Sequence, residues 1–471
     1  MRRGVSTRRA PTAHGLGPLV LGALLAGPAA SSGQALSAED SLLVAEIYAE
    51  MVEIPSVSAS EDAQRILAVT AARLETAGIE TEIAGPDSAQ VLVARLAGTG
   101  ERPPLLLLAH LDVVPALRED WSVDPFTLVL DDGWWYGRGT EDNKAGAAFL
   151  VFNLIRAKRD GFVPDRDWVV ALTSDEETES AGIRWLVTEG RERIGQPEFA
   201  LNTDSGGGIT LDGRDVMFNV QASEKVYLTF ELEVDDDGGH SSRPTPDNAI
   251  DALALGLVRL AEYRFPVTLN EVTRGFFERS AAFEEGPVAA DMRAVAAIAP
   301  DSAAAARLSQ SPFYNALLRT TCTATRLEAG HADNALPQTA RATVNCRILP
   351  GEPIDAVDST LNAVLADPRI RVTRKREPTA SPPSPLRPEI LEPIEAIVEE
   401  MWPNATVVPV MSTGATDGLY VRNAGIPVYG AGAIFDDSEE ARAHGRDERV
   451  SVKRFYEALE FWNRLMRRVS R

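Results

Sequence analysis

The sequence predicts an α/β protein of two domains, a mostly parallel sheet covered by helices on both faces and a smaller α+β domain inserted into it. Three observations lead there. The chain has 471 residues, more than one compact core holds when domains run to about 100–200 residues. From about residue 40 to residue 204, short apolar runs alternate with stretches of helical period, the pattern of strand-helix-strand crossovers and so of a parallel sheet. Near residue 224 the pattern changes to apolar/polar alternation, the mark of antiparallel strands with one face in water.

The first 35 residues stand apart. They hold four arginines and no acid, then an apolar run from Leu16 to Gly27 and small residues ending at Gly33-Gln34-Ala35. That is the layout of a cleavable signal peptide over 1–35, and it predicts a periplasmic or secreted protein with no membrane attachment once mature. The apolar run is too short to span a bilayer. Arg8-Arg9 resembles a twin-arginine export signal, but lacks the bulky apolar residues that follow one.

The main domain is read over 36–223 and 379–471. "SLLVAEIYAEMVEI" and "DAQRILAVTAARLETAG" repeat apolar residues at helical spacing, whereas "QVLVARLAG" and "PPLLLLAHLD" are strands. "FTLVLDDGWWYGRGTEDNKAG" follows, with Trp134-Trp135 at a hairpin edge, then helix "AAFLVFNLIRAKRDG", strand "DWVVALTSDEE", helix "SAGIRWLVTEGRERI" and strand "EFALNTD". The inserted domain, 224–378, opens with strand "KVYLTFELEVD" and helix "NAIDALALGLVRLAEY". "CTATRLEAG" and "QTARATVNCRIL" flank a tight loop, and "PIDAVDSTLNAVLAD" and "IRVTRKRE" complete a β-α-β-β-α-β order, the split ferredoxin-like arrangement. A mostly helical stretch, about 268–318, interrupts it. Proline-rich 378–388 reads as the linker back, and "ATVVPVMSTGATDG", "IPVYGAG" and a last helix finish the main sheet.

Composition excludes several classes. With 44% hydrophobic and 25% charged residues the chain is an ordinary globular one. Its formal charge is −22, or −26 without the four arginines of the leader, a field that repels nucleic acid and anionic lipid. Two cysteines, Cys322 and Cys346, exclude a multi-cysteine zinc ribbon. They lie on the two strands flanking one loop, face each other if Leu327 pairs with Arg341, and can join in an exported protein. A nucleotide-dependent oxidoreductase needs a glycine-rich turn after the first strand, and the sequence has none there.

Chemistry gathers at strand ends. "LLLLAHLDVVP" runs four leucines into His110 and Asp112, two apart and therefore on one face at the strand's carboxyl end, where open α/β sheets place ligands. Asp142, Glu176, Glu177, Asp204 and His444 occupy similar junctions or loops. Two imidazoles with several carboxylates form the mixed donor set of a borderline metal such as zinc, and without a cation they repel one another.

Together with "W…DPF", "YGRGTEDNKAG", "GGHSSRP", "DNALP…A…R", "GATDG" and a terminal "HGRDE", these motifs run in order over residues 40–470. The chain resembles the two-metal amidohydrolases and metallopeptidases that include glutamate carboxypeptidase, carboxypeptidase S, aminoacylase and succinyl-diaminopimelate desuccinylase. The resemblance implies two zinc ions per chain, with cobalt or manganese as substitutes. Asp142 resembles the carboxylate that bridges the two metals; His110 and Asp204 would complete one site, Glu177 and His444 the other. Asp112 would orient His110. Glu176 resembles the general base that carries a proton from metal-bridging water to the leaving amine. His240 resembles the histidine that steadies the oxyanion, often across a dimer. Asn334 and Arg347 resemble groups that hold a substrate carboxylate, and Gly414 would give backbone access to that pocket. The family often has Glu at or next to Asp204, which is a departure, and a non-proline cis bond is expected at Asp142-Asn143. His331 matches no motif and reads as a loop residue.

The implied function is that of an exported di-zinc peptidase of carboxypeptidase or dipeptidase type, cleaving an amide near a free C-terminal carboxylate. The inserted domain would serve as lid and as the contact of a homodimer. An N-acyl-amino-acid deacylase is the alternative, with the same mechanism and a different pocket. A catalytically silent binding protein is the more distant one, and it conflicts with the presence of Glu176 and of all five ligand candidates. The partner is a small peptide or an N-acyl-amino acid.

Overall fold

The computed structural model describes residues 36–437 and 442–471. The expected leader lies outside them. No helix among the described residues is long and apolar enough to cross a membrane.

Strand Leu105–His110 is buried along its whole length. It pairs in parallel with Trp168–Thr173 on one side and Phe199–Asn202 on the other. Leu105 and Leu107 enter one core with the helices Ala38–Val52, Lys144–Arg159 and Val452–Arg468. Leu106 and Leu108 enter a second core under the helices Ala181–Val187 and Gly418–Asn423. A strand buried on both faces reads as an unbroken apolar run, which explains the four leucines. Parity then puts His110, Thr173 and Asn202 on the second face, all at carboxyl ends.

The full sheet has ten strands. Its centre is parallel, Val428–Gly430 continuing beside Phe199–Asn202, and its flanks are antiparallel: Glu80–Ala84 with Val91–Leu96, Val91–Leu96 with Trp168–Thr173, and the hairpin of Gly207–Leu211 with Arg214–Glu224. Thr406–Ser412 joins Arg214–Glu224 in parallel. The proline-rich linker is docked on this sheet: Ser384 N donates to Ala222 O at 2.8 Å and Ser384 Oγ to Val428 O at 2.8 Å. Trp135 is buried against Tyr48 and Phe455, a core contact.

Residues 226–374 contribute a separate antiparallel sheet in the order Thr321–Ala329, Thr339–Ile348, Val226–Asp235, Arg371–Arg374. Helices Ala249–Glu262 and Ile354–Leu365 cover one face and share its core. Cys322 pairs with Cys346 and the two form a disulfide. The expected Leu327–Arg341 pairing is not found: a bulge between Ala324 and Arg326 shifts the register, so Leu327 pairs with Ala342. The extra residue lets both ends of the hairpin keep their own partners.

The helices Glu271–Ser280, Gly286–Ala296, Ser302–Leu308 and Pro312–Leu318 leave this sheet. Val272, Phe276, Phe277, Met292 and Leu317 pack into the main core instead. Arg279 Nη1 donates to Val407 O at 2.9 Å, capping a carbonyl of the strand Thr406–Ser412. The chain therefore passes between the two bodies four times, near residues 225, 267, 319 and 380.

Candidate metal centre and active site

His110 ends its strand with 1% exposure. Its Nδ1 faces the Asp112 carbonyl at 3.1 Å, and because a carbonyl only accepts, the ring proton sits on Nδ1 and Nε2 is left as a donor atom for a metal. Nε2 stands 2.9 Å from Asp142 Oδ1 and 3.9 Å from Asp204 Oδ1. The other oxygen of Asp142 is 3.0 Å from His444 Nε2, which is also 2.9 Å from Glu177 Oε1. Asp142 thus presents one oxygen to each imidazole. The peptide bond Asp142-Asn143 is cis.

The Asp112 carboxylate has a further task besides standing beside His110. Its Oδ1 is 3.6 Å from His110 Nδ1, whereas Oδ1 accepts from Glu176 N and Oδ2 from Glu177 N, both at 3.1 Å, with Ser58 Oγ donating at 2.6 Å. The backbone carbonyl of residue 112 meets the imidazole with the carboxylate beside it, and the same carboxylate orients the two glutamates. These diverge: Glu177 meets His444, and Glu176 lies with His110 and Asp204.

Two residues that sequence reasoning passed over hold the ligand loops. Glu448, fully buried, accepts from the backbone N–H of Gly139, Glu141 and Asp142 at 3.1, 2.8 and 3.1 Å. It pairs with Arg138 at 2.5 Å, and Arg138 donates to the carbonyls of Gly445 and His444 at 3.0 and 3.3 Å. One buried ion pair therefore joins the Asp142 turn to the His444 turn. A third is Asp417: its Oδ2 accepts from Thr173 Oγ1 at 2.6 Å and its buried Oδ1 has no hydrogen-bond partner among the described residues.

Electrostatics reflect crowded acids. Burial raises Asp204 and Glu176 well above the carboxylate range; repulsion from Asp142 adds to this in Asp204, and from Asp204 itself in Glu176. Burial also lifts Asp417 to about 7. Asp142 goes the other way: burial would raise it, but His110 and His444 hold it well below. Asp142 and Glu177 raise His444 to about 10. Two sets of converging donors result, His110 with Asp142 and Glu177, and His110 with Glu176 and Asp204, each set within 4.8 Å. This chemistry fits divalent cations, because imidazole and carboxylate oxygens are their donors and the surplus of buried negative charge is what they neutralise.

The remaining expected residues fall elsewhere. His240, exposed, pairs across a short ribbon with Ala335, and Ser241 N donates to Asn334 O at 3.0 Å, so His240 and Asn334 stand together. Among the described residues no hydrogen bond joins either to the metal-donor cluster. Arg347 stacks over Tyr227 at 4.6 Å and donates to Thr413 O at 2.9 Å, beside Gly414. His331 is an exposed loop residue.

The sequence profile of Peptidase family M20/M25/M40 matches residues 106–468. The chain belongs to this family. It is an M20 hydrolase of the metallopeptidase and amidohydrolase kind. Human N-fatty-acyl-amino acid synthase/hydrolase PM20D1 is 29% identical over 76% of this M20 chain and 72% of its own. The fold is shared with an M20 metallo-carboxypeptidase from Sulfolobus solfataricus, at TM-score 0.68 and 18% identity, covering 91% of this chain and 99% of that one. It is also shared with a Bacillus subtilis M20 peptidase described as dinuclear metal-binding, at TM-score 0.60 and 13% identity, covering 91% and 98%.

Proposed function

We propose that this M20 protein is an exported di-zinc hydrolase that cleaves an amide bond beside a free carboxylate, with a peptide substrate of carboxypeptidase or dipeptidase type. The observation that carries the reading is the divided carboxylate of Asp142, one oxygen to each imidazole. Asp142, His110 and Asp204 would hold one cation, and Asp142, Glu177 and His444 the other. When bound, such cations would polarise the scissile carbonyl and acidify a water.

Glu176 supplies the proton chemistry. Its carboxylate has no hydrogen-bond partner among the described residues, while its backbone is fixed by Asp112. Burial raises its pKa above the ordinary carboxylate value, the direction that suits a proton carrier. It would collect the proton of the attacking water and deliver it to the leaving amine. Arg347, Asn334 and Gly414 would hold the substrate carboxylate, and His240 would steady the oxyanion from the partner chain of a homodimer. The N-terminal leader supports export to the periplasm or beyond, and the cross-strand disulfide accords with an oxidising compartment.

A second reading, hydrolysis of N-acyl-amino acids, is favoured by the similarity to the human N-fatty-acyl-amino acid synthase/hydrolase over 76% of the chain. Both substrates present the same amide and carboxylate, so one experiment serves both. Zinc-supplemented protein should carry about two zinc ions per chain and hydrolyse members of a dipeptide and N-acyl-amino-acid panel. Glu176→Gln should keep the metal and lose turnover, whereas Glu177→Gln should lose metal. One ion or none by elemental analysis, or a Glu176→Gln protein as active as the parent, would refute the reading.

A further inference from the structure

Two cationic residues hold the same loop at the junction of the two bodies, in a chain with 69 acidic and 47 basic side chains. One is Arg347. The other is Lys225, which is fully buried. Neither forms an ion pair with any acid among the described residues. Lys225 Nζ donates to the backbone carbonyl of Arg319 at 2.7 Å, a neutral acceptor. Its own N–H donates to Ser412 O at 3.0 Å, and Arg347 Nη1 donates to the next carbonyl in that loop, Thr413 O. The loop that carries Gly414 is therefore gripped at successive residues by the two cationic side chains' own residues.

An ammonium taken out of water without a counter-ion is costly, and its field reaches further through protein than through solvent. Burial and then Arg347 pull the Lys225 pKa down to about 7, with Glu352 alone among neighbouring acids opposing them. Glu352 is itself occupied by the Thr320 hydroxyl. A surplus of positive charge this close to a half-exposed guanidinium is stabilised when an anion docks on that guanidinium.

We propose that Lys225 is a second, buried cation of the substrate-carboxylate pocket, a positioning residue that acts through Arg347 and the Ser412–Gly414 loop to make the site selective for an anionic group. The inference rests on the reading of Arg347 given above. It assigns discrimination between a carboxylate and a neutral amide to a residue that touches neither.

The test compares the best substrate of the panel with its own C-terminal carboxamide, in the parent enzyme and in K225Q, K225M and E352Q. The parent should favour the carboxylate. Both Lys225 variants should raise the KM for the carboxylate about tenfold, as loss of one partly desolvated charge interaction implies, with kcat and the carboxamide KM little changed. E352Q, which removes from a partly exposed turn the one acid that favours the charged ammonium, should raise the carboxylate KM near neutral pH, and less so in mild acid, where Lys225 stays protonated. K225Q keeps a donor for the Arg319 carbonyl, so a K225Q enzyme with the parent's carboxylate preference would show that only the hydrogen bond matters and would overturn the proposal. If the Lys225 variants do not fold, an unchanged or lowered carboxylate KM in E352Q near neutral pH overturns it. A parent enzyme indifferent to the carboxylate refutes the pocket reading itself, and the Lys225 proposal with it.

Discussion

Glu448 takes three backbone N–H groups of the Gly139–Asp142 turn and one guanidinium, and its ion pair with Arg138 is buried. Removing one partner of such a pair typically costs about 3–5 kcal/mol, because the other charge is left uncompensated. Here the loss also frees Asp142, the carboxylate shared by both imidazoles. Glu448→Gln is therefore expected to lower stability by about that amount and to weaken metal binding about tenfold or more, as other residues that support metal ligands do. Thermal melting of the metal-free protein and zinc competition against a chelator check the two effects separately; a variant with parent-like zinc affinity would show that the Asp142 turn holds itself. The ligand candidates were legible because their side chains carry the chemistry and sit at strand ends. Glu448 and Arg138 were not, since a charged residue in a polar loop looks like a solvated one until the fold buries it. Asp112 was half legible: its closeness to His110 follows from spacing, but its two bonds to the glutamate backbone depend on where the neighbouring strand ends.

The helix Lys144–Arg159 begins right after the cis bond and carries Gly146 where the sheet comes closest. A Cβ there would lie 2.2 Å from Thr203 Oγ1 and 2.4 Å from Asn143 Oδ1, which bond each other at 2.7 Å. Those two residues adjoin Asp204 and Asp142. Gly146→Ala, which would help an isolated helix, should here destabilise by about 1–3 kcal/mol through overpacking, and zinc content should fall with it; a fully metallated variant of parent stability would contradict this. Strands and helices of the parallel centre were readable from apolar runs and helical spacing. The hairpin Gly207–Glu224 was missed, because glycines and polar residues break its alternation. Its one strong signal was Asp212-Gly213, both at positive φ in the two-residue turn between Leu211 and Arg214. The stretch 180–194, read as one helix, is two, Ala181–Val187 and Arg191–Ile194. Between them Gly190 packs against the Trp185 ring, where a Cβ would approach to 2.8 Å. The bulge between Ala324 and Arg326 leaves no mark in composition, so register could not be read there.

Four passages of chain between the two bodies, with Lys225, Arg319 and Ser384 bonded across them, restrict how far the smaller body can swing. His240 rides on that body, with no hydrogen bond to the metal donors among the described residues. A mixture of His240→Ala and Glu176→Ala chains should recover up to about a quarter of parental activity if the histidine serves the partner's site, since random pairing makes half the dimers mixed and one site in each complete. No recovery despite demonstrated subunit exchange would assign His240 to its own chain or to no catalytic role. The central sheet has one more property. Val428–Gly430 lies between Phe199–Asn202 and Arg214–Glu224, so a slot in the middle of the sheet stays open until residue 430 has been synthesised. Until then both neighbouring strands lack a partner on the edge that faces this slot, and pairings between such distant segments form slowly. A nascent chain of this topology cannot close its central sheet before that strand emerges, so the early and late segments must complete one core together.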